Sequence, residues 1–310
     1  MKTPFIVLAA GLVMLLPLVA QAKIDRVVEK SFTVAPGGTV RLESQGGNLE
    51  VRPGSGNEVK VVARQRFRAD SEDEADSIAK NLTLTIEQNG NDVEASARFG
   101  QGTFRWGRTP VSVDFIVTVP STYNAELKTS GGNLHVGDLT GRVDGRTSGG
   151  NIEIGRVDGV VQIRTSGGNI SVMEALRSVD ANTSGGDIRV KRVVGEAKLH
   201  TSGGNIRVES ATGVVQAETS GGNVSAQFAD GVPSDCLLRT SGGNVSVTVP
   251  ASAAFRLDAS TSGGNVRADT LTMSIEEGQN GKSKLVAAVN GGGPLLKLRT
   301  SGGDVRVATK

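Results

Sequence analysis

Apolar residues recur along most of the chain at fixed distances from one motif. The pentapeptide Thr-Ser-Gly-Gly-Asn/Asp occurs nine times, first at spacings of 18 residues and then at spacings of 21, 21 and 39. Apolar residues occupy the first and third positions after each Asn or Asp, and another apolar column lies two residues before the Thr. A period of two is typical of a strand with one buried face. Each repeat therefore predicts a strand, a Gly-Gly corner, a second strand and a return.

One such coil cannot bury its own apolar face, whereas stacked coils share one continuous core. The fold class that we predict is all-β: a single-stranded β-solenoid (β-helix) with coils of about 18–21 residues. A smaller β-rich entry region with one short helix precedes it. The alternative is a row of antiparallel hairpins that turn at Gly-Gly-Asn. Both hands of the coil satisfy the same inward pattern, so the handedness stays open.

The polar residues of the motif have a predicted structural role. Parallel strands ~4.8 Å apart place each Asn or Asp over the next, so that side-chain amides can hydrogen bond along a ladder. The paired glycines are expected at a corner with positive φ. The predicted ladder consists of Asn133, Asn151, Asn169, Asp187, Asn205, Asn223, Asn244, Asn265 and Asp304.

The end of the chain is less regular. The spacing of 39 equals one coil of 18 and one of 21, which predicts a degenerate coil near Glu277–Gly281. The last copy, with Val305 and Val307, is then expected to form the exposed end of the stack. An open strand edge invites pairing with another chain.

The region before the repeats has a different pattern. Ser44–Asn48 resembles a degenerate first copy, and Ser71 with Glu74 forms a capping box that opens a short helix. Alternating strands flank the turn Asn89-Gly90, and Val111–Val119 is another predicted strand. This region is expected to cap the solenoid.

The first residues predict export. A basic start, an apolar run and Ala20-Gln21-Ala22 are typical of a secretory signal peptide, although a retained membrane anchor is the alternative. The expected divisions are residues 1–22 as signal peptide, 23–120 as N-terminal capping region and 121–310 as repeat solenoid. No later stretch is apolar enough to span a membrane, so we expect a periplasmic, extracellular or cell-surface protein. The single cysteine, Cys236, is expected to be a small buried residue.

Composition narrows the function classes. Glycine accounts for 42 of 310 residues, only 3% are aromatic, and the net charge is +2. Regularly spaced aliphatic residues argue against disorder, and paired glycines argue against collagen. A nearly neutral chain gives no reason to expect a nucleic-acid partner.

No convergent set of catalytic groups is apparent. His135 and His200 lie at different positions in separate repeats, and no metal-ligand spacing occurs. Asp138, Asp144 and Asp158 lie near the second corner, but later coils do not repeat them. We therefore expect no catalytic residues, no metal and no cofactor.

Two surface features are candidate binding sites. The residue before each Thr should face outward, and five of these positions are basic: Lys128, Arg146, Arg164, Arg239 and Arg299. With the arginines at 189, 207, 267 and 306 on the following strand they are expected to form a basic stripe beside the corner, suited to an anionic polymer. Ordinary solvated positions are the alternative.

The second candidate is the loop Arg98–Arg108, which contains the only Trp. Aromatic and arginine side chains dominate binding hot spots, and a Trp can stack on a sugar ring. Alternatively, these aromatic side chains seal the junction between the entry region and the solenoid. The candidate residues are Phe99, Phe104, Arg105, Trp106 and Arg108.

A family resemblance joins these features. Gly-Gly-Asn-Leu-Glu-Val, an acid-rich helix, and Val117–Pro120 followed by Leu127–Asn133 resemble the bacterial β-strand-repeat family known as "putative adhesin". The resemblance implies a β-helical fold and an envelope location, and it offers no catalytic residues.

The predicted function is that of a secreted, non-enzymatic module of the cell envelope. Its expected partner is an envelope polysaccharide or a surface protein, bound through modest contacts that repeat along a rigid rod. One alternative is a structural protein that self-associates end to end. A polysaccharide-active β-helix enzyme is a second alternative.

Overall fold

The computed structural model describes residues 23–100 and 110–310. The predicted signal peptide and most of the Arg98–Arg108 loop lie outside these ranges. The N-terminal elements are β1 (Lys23–Thr33), β2 (Thr39–Ser44), β3 (Leu49–Gly54), β4 (Glu58–Arg68), α1 (Glu72–Ala79), β5 (Leu82–Asn89), β6 (Asp92–Phe99) and β7 (Val111–Pro120).

The first eight copies of the motif join sixteen strands in pairs. They are β8 (Asn124–Thr129), β9 (Leu134–Val136), β10 (Val143–Arg146), β11 (Ile152–Val157), β12 (Val160–Arg164), β13 (Ile170–Ala175), β14 (Ser178–Asn182), β15 (Ile188–Val193), β16 (Glu196–His200), β17 (Ile206–Ala211), β18 (Val215–Glu218), β19 (Val224–Phe228), β20 (Cys236–Arg239), β21 (Val245–Val249), β22 (Phe255–Ser260) and β23 (Val266–Ala268). The remaining strands are β24 (Met273–Gly278), β25 (Lys284–Val289), β26 (Leu295–Arg299) and β27 (Val305–Thr309).

These strands form two long sheets. A 13-stranded sheet, called sheet A, has the order β1-β4-β7-β3-β9-β11-β13-β15-β17-β19-β21-β27-β23. Sheet B has 14 strands in the order β24-β25-β22-β26-β20-β18-β16-β14-β12-β10-β8-β2-β6-β5. Each regular coil adds one strand to sheet B, turns at Thr-Ser-Gly-Gly and adds one strand to sheet A.

Successive copies pair in parallel, and this confirms the solenoid. Ile152, Ile170 and Ile188 are register partners in neighbouring strands of sheet A. The alternative row of antiparallel hairpins is therefore wrong for the repeats. The apolar columns of both sheets are buried in one shared core, so the polar faces of the sheets point away from each other.

The N-terminal elements agree with the sequence pattern and extend the stack. The Ser71 hydroxyl accepts a hydrogen bond from the Glu74 amide at 3.2 Å, which caps α1. Strand β2 pairs in parallel with β8, and β3 with β9, so Ser44–Asn48 is a true copy of the corner. Hairpin β5–β6 extends sheet B beyond β2, while β1, β4 and β7 extend sheet A. Both sheets thus contain strands from either side of residue 120, where the capping region was expected to end.

The C-terminal coil order differs from the prediction. The last coil, β26 with β27, lies between the coil of β20 and β21 and the coil of β22 and β23. Val305 and Val307 are therefore fully buried, and the expectation that they form an exposed end is wrong.

The predicted degenerate coil near Glu277–Gly281 is also wrong. This segment is the turn of an antiparallel hairpin, β24–β25, and β25 pairs with β22. The same turn covers the edge of sheet A, because the Gly281 amide donates to Val266 and the Val266 amide donates to Lys282, both at 2.7 Å. Helix α1 is eight residues long, and no helix in the described part of the chain is a candidate membrane span.

Candidate functional site

The corner of each coil is fixed by the buried Thr and by the second glycine. The hydroxyl of Thr201, which has no exposed surface, donates to the Gly186 carbonyl at 2.9 Å and accepts from the Gly204 amide at 3.3 Å. A Cβ built on Gly204 would lie 2.0 Å from the Gly186 carbonyl oxygen, whereas one on Gly203 has no heavy atom nearer than 3.6 Å. The expectation of positive φ is wrong here, since neither glycine has it. The second glycine is required by close backbone approach instead.

A ladder of side-chain oxygens runs along the corner. In each step the side-chain oxygen accepts a hydrogen bond from the backbone amide of the Asn or Asp in the next coil, as Asn133 does from Asn151 at 2.8 Å. Side-chain amide bonds add to this at two steps, from Asn205 and from Asn223. The ladder runs through Asp114, Asn48, Asn133, Asn151, Asn169, Asp187, Asn205, Asn223, Asn244, Asp304 and Asn265.

The residues before each Thr lie on the outer face of sheet B. Strand alternation places them outward because the Thr itself is buried. Their register forms two basic clusters separated by Asn182, His200 and Glu218. The first cluster is Lys128, Arg146 and Arg164, and the second is Arg239 with Arg299.

Carboxylates of the same column and of the neighbouring column partly neutralise the first cluster. Lys128 lies 3.7 Å from Glu43, Arg146 lies 3.6 Å from Asp144, and Arg164 lies 3.8 Å from Asp180. A hydrogen bond from Arg98 lowers the pKa of Glu43, so this carboxylate stays charged. Exposed pairs of this kind contribute little stability and leave the cations available to other anions.

The arginines of the following strand are not part of this face. Residues 189, 207, 267 and 306 lie in sheet A, whose outer face points the opposite way. Arg189 and Arg207 both pair with Glu209 there. The expectation of one stripe formed from both columns is therefore wrong, since the corner separates two basic faces.

The aromatic loop is described only at its start. Arg98 pairs with Glu43 at 2.8 Å, and Phe99 is buried in the core at the end of β6. Phe104, Arg105, Trp106 and Arg108 lie outside the described residues. Burial raises the pKa of the Cys236 thiol, which is a core residue rather than an exposed nucleophile.

The family follows from the sequence across this whole architecture. The profile of the family described as Toastrack DUF4097 matches residues 39–308, from the first copy of the corner in β2–β3 to the last coil. The chain belongs to the Toastrack DUF4097 family. Its Toastrack fold agrees with the predicted resemblance to the β-strand-repeat family of adhesin-like proteins.

The chain is also similar to solved structures from Bacteroides fragilis and Parabacteroides distasonis. A "putative adhesin" of Bacteroides fragilis is 11% identical over 92% of this chain and 97% of its own, with a TM-score of 0.38. Another "putative adhesin", from Parabacteroides distasonis, is 11% identical over 92% of this chain and 97% of its own, with a TM-score of 0.46. A "putative lipid binding protein" of Parabacteroides distasonis is 11% identical over 91% of this chain and 96% of its own, with a TM-score of 0.40. Likenesses of this size carry no argument about activity. No curated protein matches the Toastrack chain.

Sequence reasoning missed one set of neighbours on sheet B. Lys297 and Arg299 lie beside Arg239 only because β26 inserts next to β20. All coils share the same inward pattern, so no local signal in the sequence states which coil is next to which.

Proposed function

We propose that this Toastrack chain is an exported, non-enzymatic adhesin-type module that binds an extended anionic polymer along the outer face of sheet B. The observation that carries the proposal is the register of basic side chains on that face. Lys128, Arg146 and Arg164 are direct partners in adjacent parallel strands. Neighbouring strands are ~4.8 Å apart, so the cations follow a straight line at a fixed repeat.

A rigid row of weak sites suits a repeating partner better than a small molecule. Each cation contributes a modest attraction, and a polymer that contacts several of them gains affinity by effective concentration. An acidic envelope polysaccharide has this form. The proposed location outside the cytoplasm rests on the signal-peptide pattern of residues 1–22, and the loop with Arg105 and Trp106 is proposed as a secondary contact.

The test is binding of purified protein to polygalacturonate, dextran sulfate and neutral dextran as salt is raised. We expect saturable binding to the acidic polymers that weakens with salt, because screening acts on exposed charges. Arg146→Gln/Arg164→Gln should weaken binding by about tenfold, the scale of two lost charge-assisted contacts. Arg105→Ala/Trp106→Ala should have a smaller effect.

The matched control is Arg156→Gln/Arg192→Gln, which removes the same charge from the outer face of sheet A, where both arginines pair with Glu174. Equal losses of affinity in the two double variants would contradict specific binding at the outer face of sheet B. Absence of binding by monodisperse wild-type protein to every acidic polymer would reject the proposal. Concentration-dependent growth in light scattering would then favour the self-associating alternative.

A further inference from the structure

Insertion of the last coil brings together basic side chains that are far apart in the sequence. Arg239 at the end of β20 and Arg299 at the end of β26 are register partners in adjacent parallel strands. Lys297 lies on the same outer face, in the neighbouring column. Arg299 also partners Ser260 of β22. The basic side chains therefore meet because the coil order is not the chain order.

These side chains line a groove of about 400 Å³, called here the Arg239 groove. Besides the three cations, the exposed or half-buried hydroxyls of Ser260, Ser262 and Ser301 line it. None of the described residues that line this groove is acidic. Thr240 and Thr300, each the first residue of a corner, also line it.

Two other grooves of sheet B have balanced charge. The first, near the N-terminal end, is lined by Arg41, Lys128, Arg142 and Arg146 together with Glu43, Glu94, Glu126 and Asp144. The second is lined by Arg256, Lys284 and Arg299 together with Asp235, Asp258 and Glu277. Carboxylates thus line both of these grooves, whereas the lining of the Arg239 groove consists of cations, hydroxyl-bearing side chains and Leu237.

Arg299 is held in place by contacts with the adjacent strand β22 and with its own strand. One of its terminal nitrogens donates to the carbonyls of Asp258 and Leu298 at 2.7 and 3.0 Å, and the other pairs with the Asp258 carboxylate. Asp258 thus offsets the charge of Arg299. Within residues 23–100 and 110–310, Arg239 and Lys297 have no carboxylate within ion-pair distance. Glu218 is the register partner of Arg239 on its other side, and Asp258 is the register partner of Lys297. The excess positive charge of the groove is that of Arg239 and Lys297.

We propose that the Arg239 groove binds a tetrahedral oxyanion, namely a sulfate or phosphate group carried by a polymer. Guanidinium forks bind oxyanions through paired hydrogen bonds, the Lys ammonium adds a point charge, and the serine hydroxyls are further donors. Asp258 balances only one of the three positive charges of the groove. The polymer part of this inference rests on the proposed function, whereas binding of the oxyanion itself does not.

The first experiment compares dextran sulfate, inorganic polyphosphate and neutral dextran as ligands of the purified protein. Arg239→Gln/Lys297→Gln should weaken binding of the preferred anionic polymer by about tenfold or more, whereas Arg156→Gln/Arg192→Gln should change it by less than about threefold. Preference between the two anionic polymers distinguishes sulfate from phosphate. Equal losses in both variants would overturn the inference, because net charge alone would then explain binding.

A second measurement does not depend on the polymer. Sodium sulfate or phosphate is titrated at constant ionic strength while the side-chain Nε–Hε signals of Arg239 and Arg299 are followed by ¹⁵N NMR. Saturable shifts that vanish in Lys297→Gln support the site, and their absence overturns it. If Arg146→Gln/Arg164→Gln abolishes polymer binding while Arg239→Gln/Lys297→Gln leaves it unchanged, the groove inference fails and the proposed function survives. Ion shifts without polymer binding reject the proposed function and support the groove.

Discussion

At the scale of single residues, the corner motif is explained by contacts between successive coils. The Thr hydroxyl bridges the carbonyl of the coil before it and an amide of its own coil. The second glycine lies against the backbone of the preceding coil. The side-chain oxygen of the Asn accepts a hydrogen bond from the backbone amide of the next coil. Ser and the first glycine face solvent. Three positions of the motif are therefore constrained by stacking and two are not.

The two glycines of one corner should respond differently to the same substitution. Gly204→Ala places a methyl group 2.0 Å from the Gly186 oxygen, and such overpacking of a close backbone contact lowers the free energy of unfolding by about 2–3 kcal/mol. Gly203→Ala makes only ordinary van der Waals contacts, with no heavy atom nearer than 3.6 Å, and should change the free energy of unfolding by less than about 0.5 kcal/mol. Urea unfolding followed by circular dichroism measures both. Equal effects would contradict the close approach assigned to the second glycine.

The Thr hydroxyl can be tested in the same coil. Thr201→Val keeps the shape but leaves the Gly186 carbonyl and the Gly204 amide without their partner, at a cost of about 1–3 kcal/mol. Thr201→Ser keeps the hydroxyl and loses one methyl group, at about 0.8 kcal/mol. The exposed Ser202→Ala is the control. A valine variant as stable as wild type would show that the hydroxyl bonds do not matter.

At the scale of elements, the inward pattern was readable because it is local. The columns that contain Ile152 and Ile163 follow from alternation within each strand. The hairpin of β5 and β6 and the cap of α1 follow from local signals too, the Asn89-Gly90 turn and Ser71. The prediction of positive φ at the corner glycines was wrong because a close backbone approach requires glycine just as positive φ does. The predicted order of the last coils was wrong for another reason. The sequence pattern allows either β22 or β26 beside β20. In the structure β26 takes this position, and hairpin β24–β25 pairs with the other edge of β22.

The inserted coil should be visible in hydrogen exchange. Although β27 ends the chain, the Val305 amide bonds to Asn265 at 3.0 Å and both neighbours of the strand are paired. We expect the amides of Val305 and Val307 to exchange at least about a hundredfold more slowly than those of the exposed edge strand β24, since exchange follows local opening. Rapid exchange typical of a frayed terminus would contradict the insertion.

At the scale of the whole molecule, the stack has basic side chains on both outer faces and antiparallel strands at both ends. The first described residues and the β24–β25 hairpin supply antiparallel strands at the two ends of the stack. Parallel coils between them fix the cations of sheet B in rows. Predicting the rows needed only the repeat, whereas the Arg239 groove depends on which coil follows which. The inference about the Arg239 groove and the order of the coils thus share one premise, the position of the last coil.

That position is tested most directly by engineered disulfides on the exposed outer face of sheet A. Ser246 and Arg306 are partners in adjacent strands, and strands ~4.8 Å apart allow a cross-link, while a span of two strands exceeds the ~7 Å limit between Cα atoms. Arg267 lies one strand further, beyond Arg306. After mild oxidation of the folded protein, Ser246→Cys/Arg306→Cys should form an internal disulfide and Ser246→Cys/Arg267→Cys should not. A disulfide only in the 246/267 pair would show that the coils stack in chain order and would contradict this account.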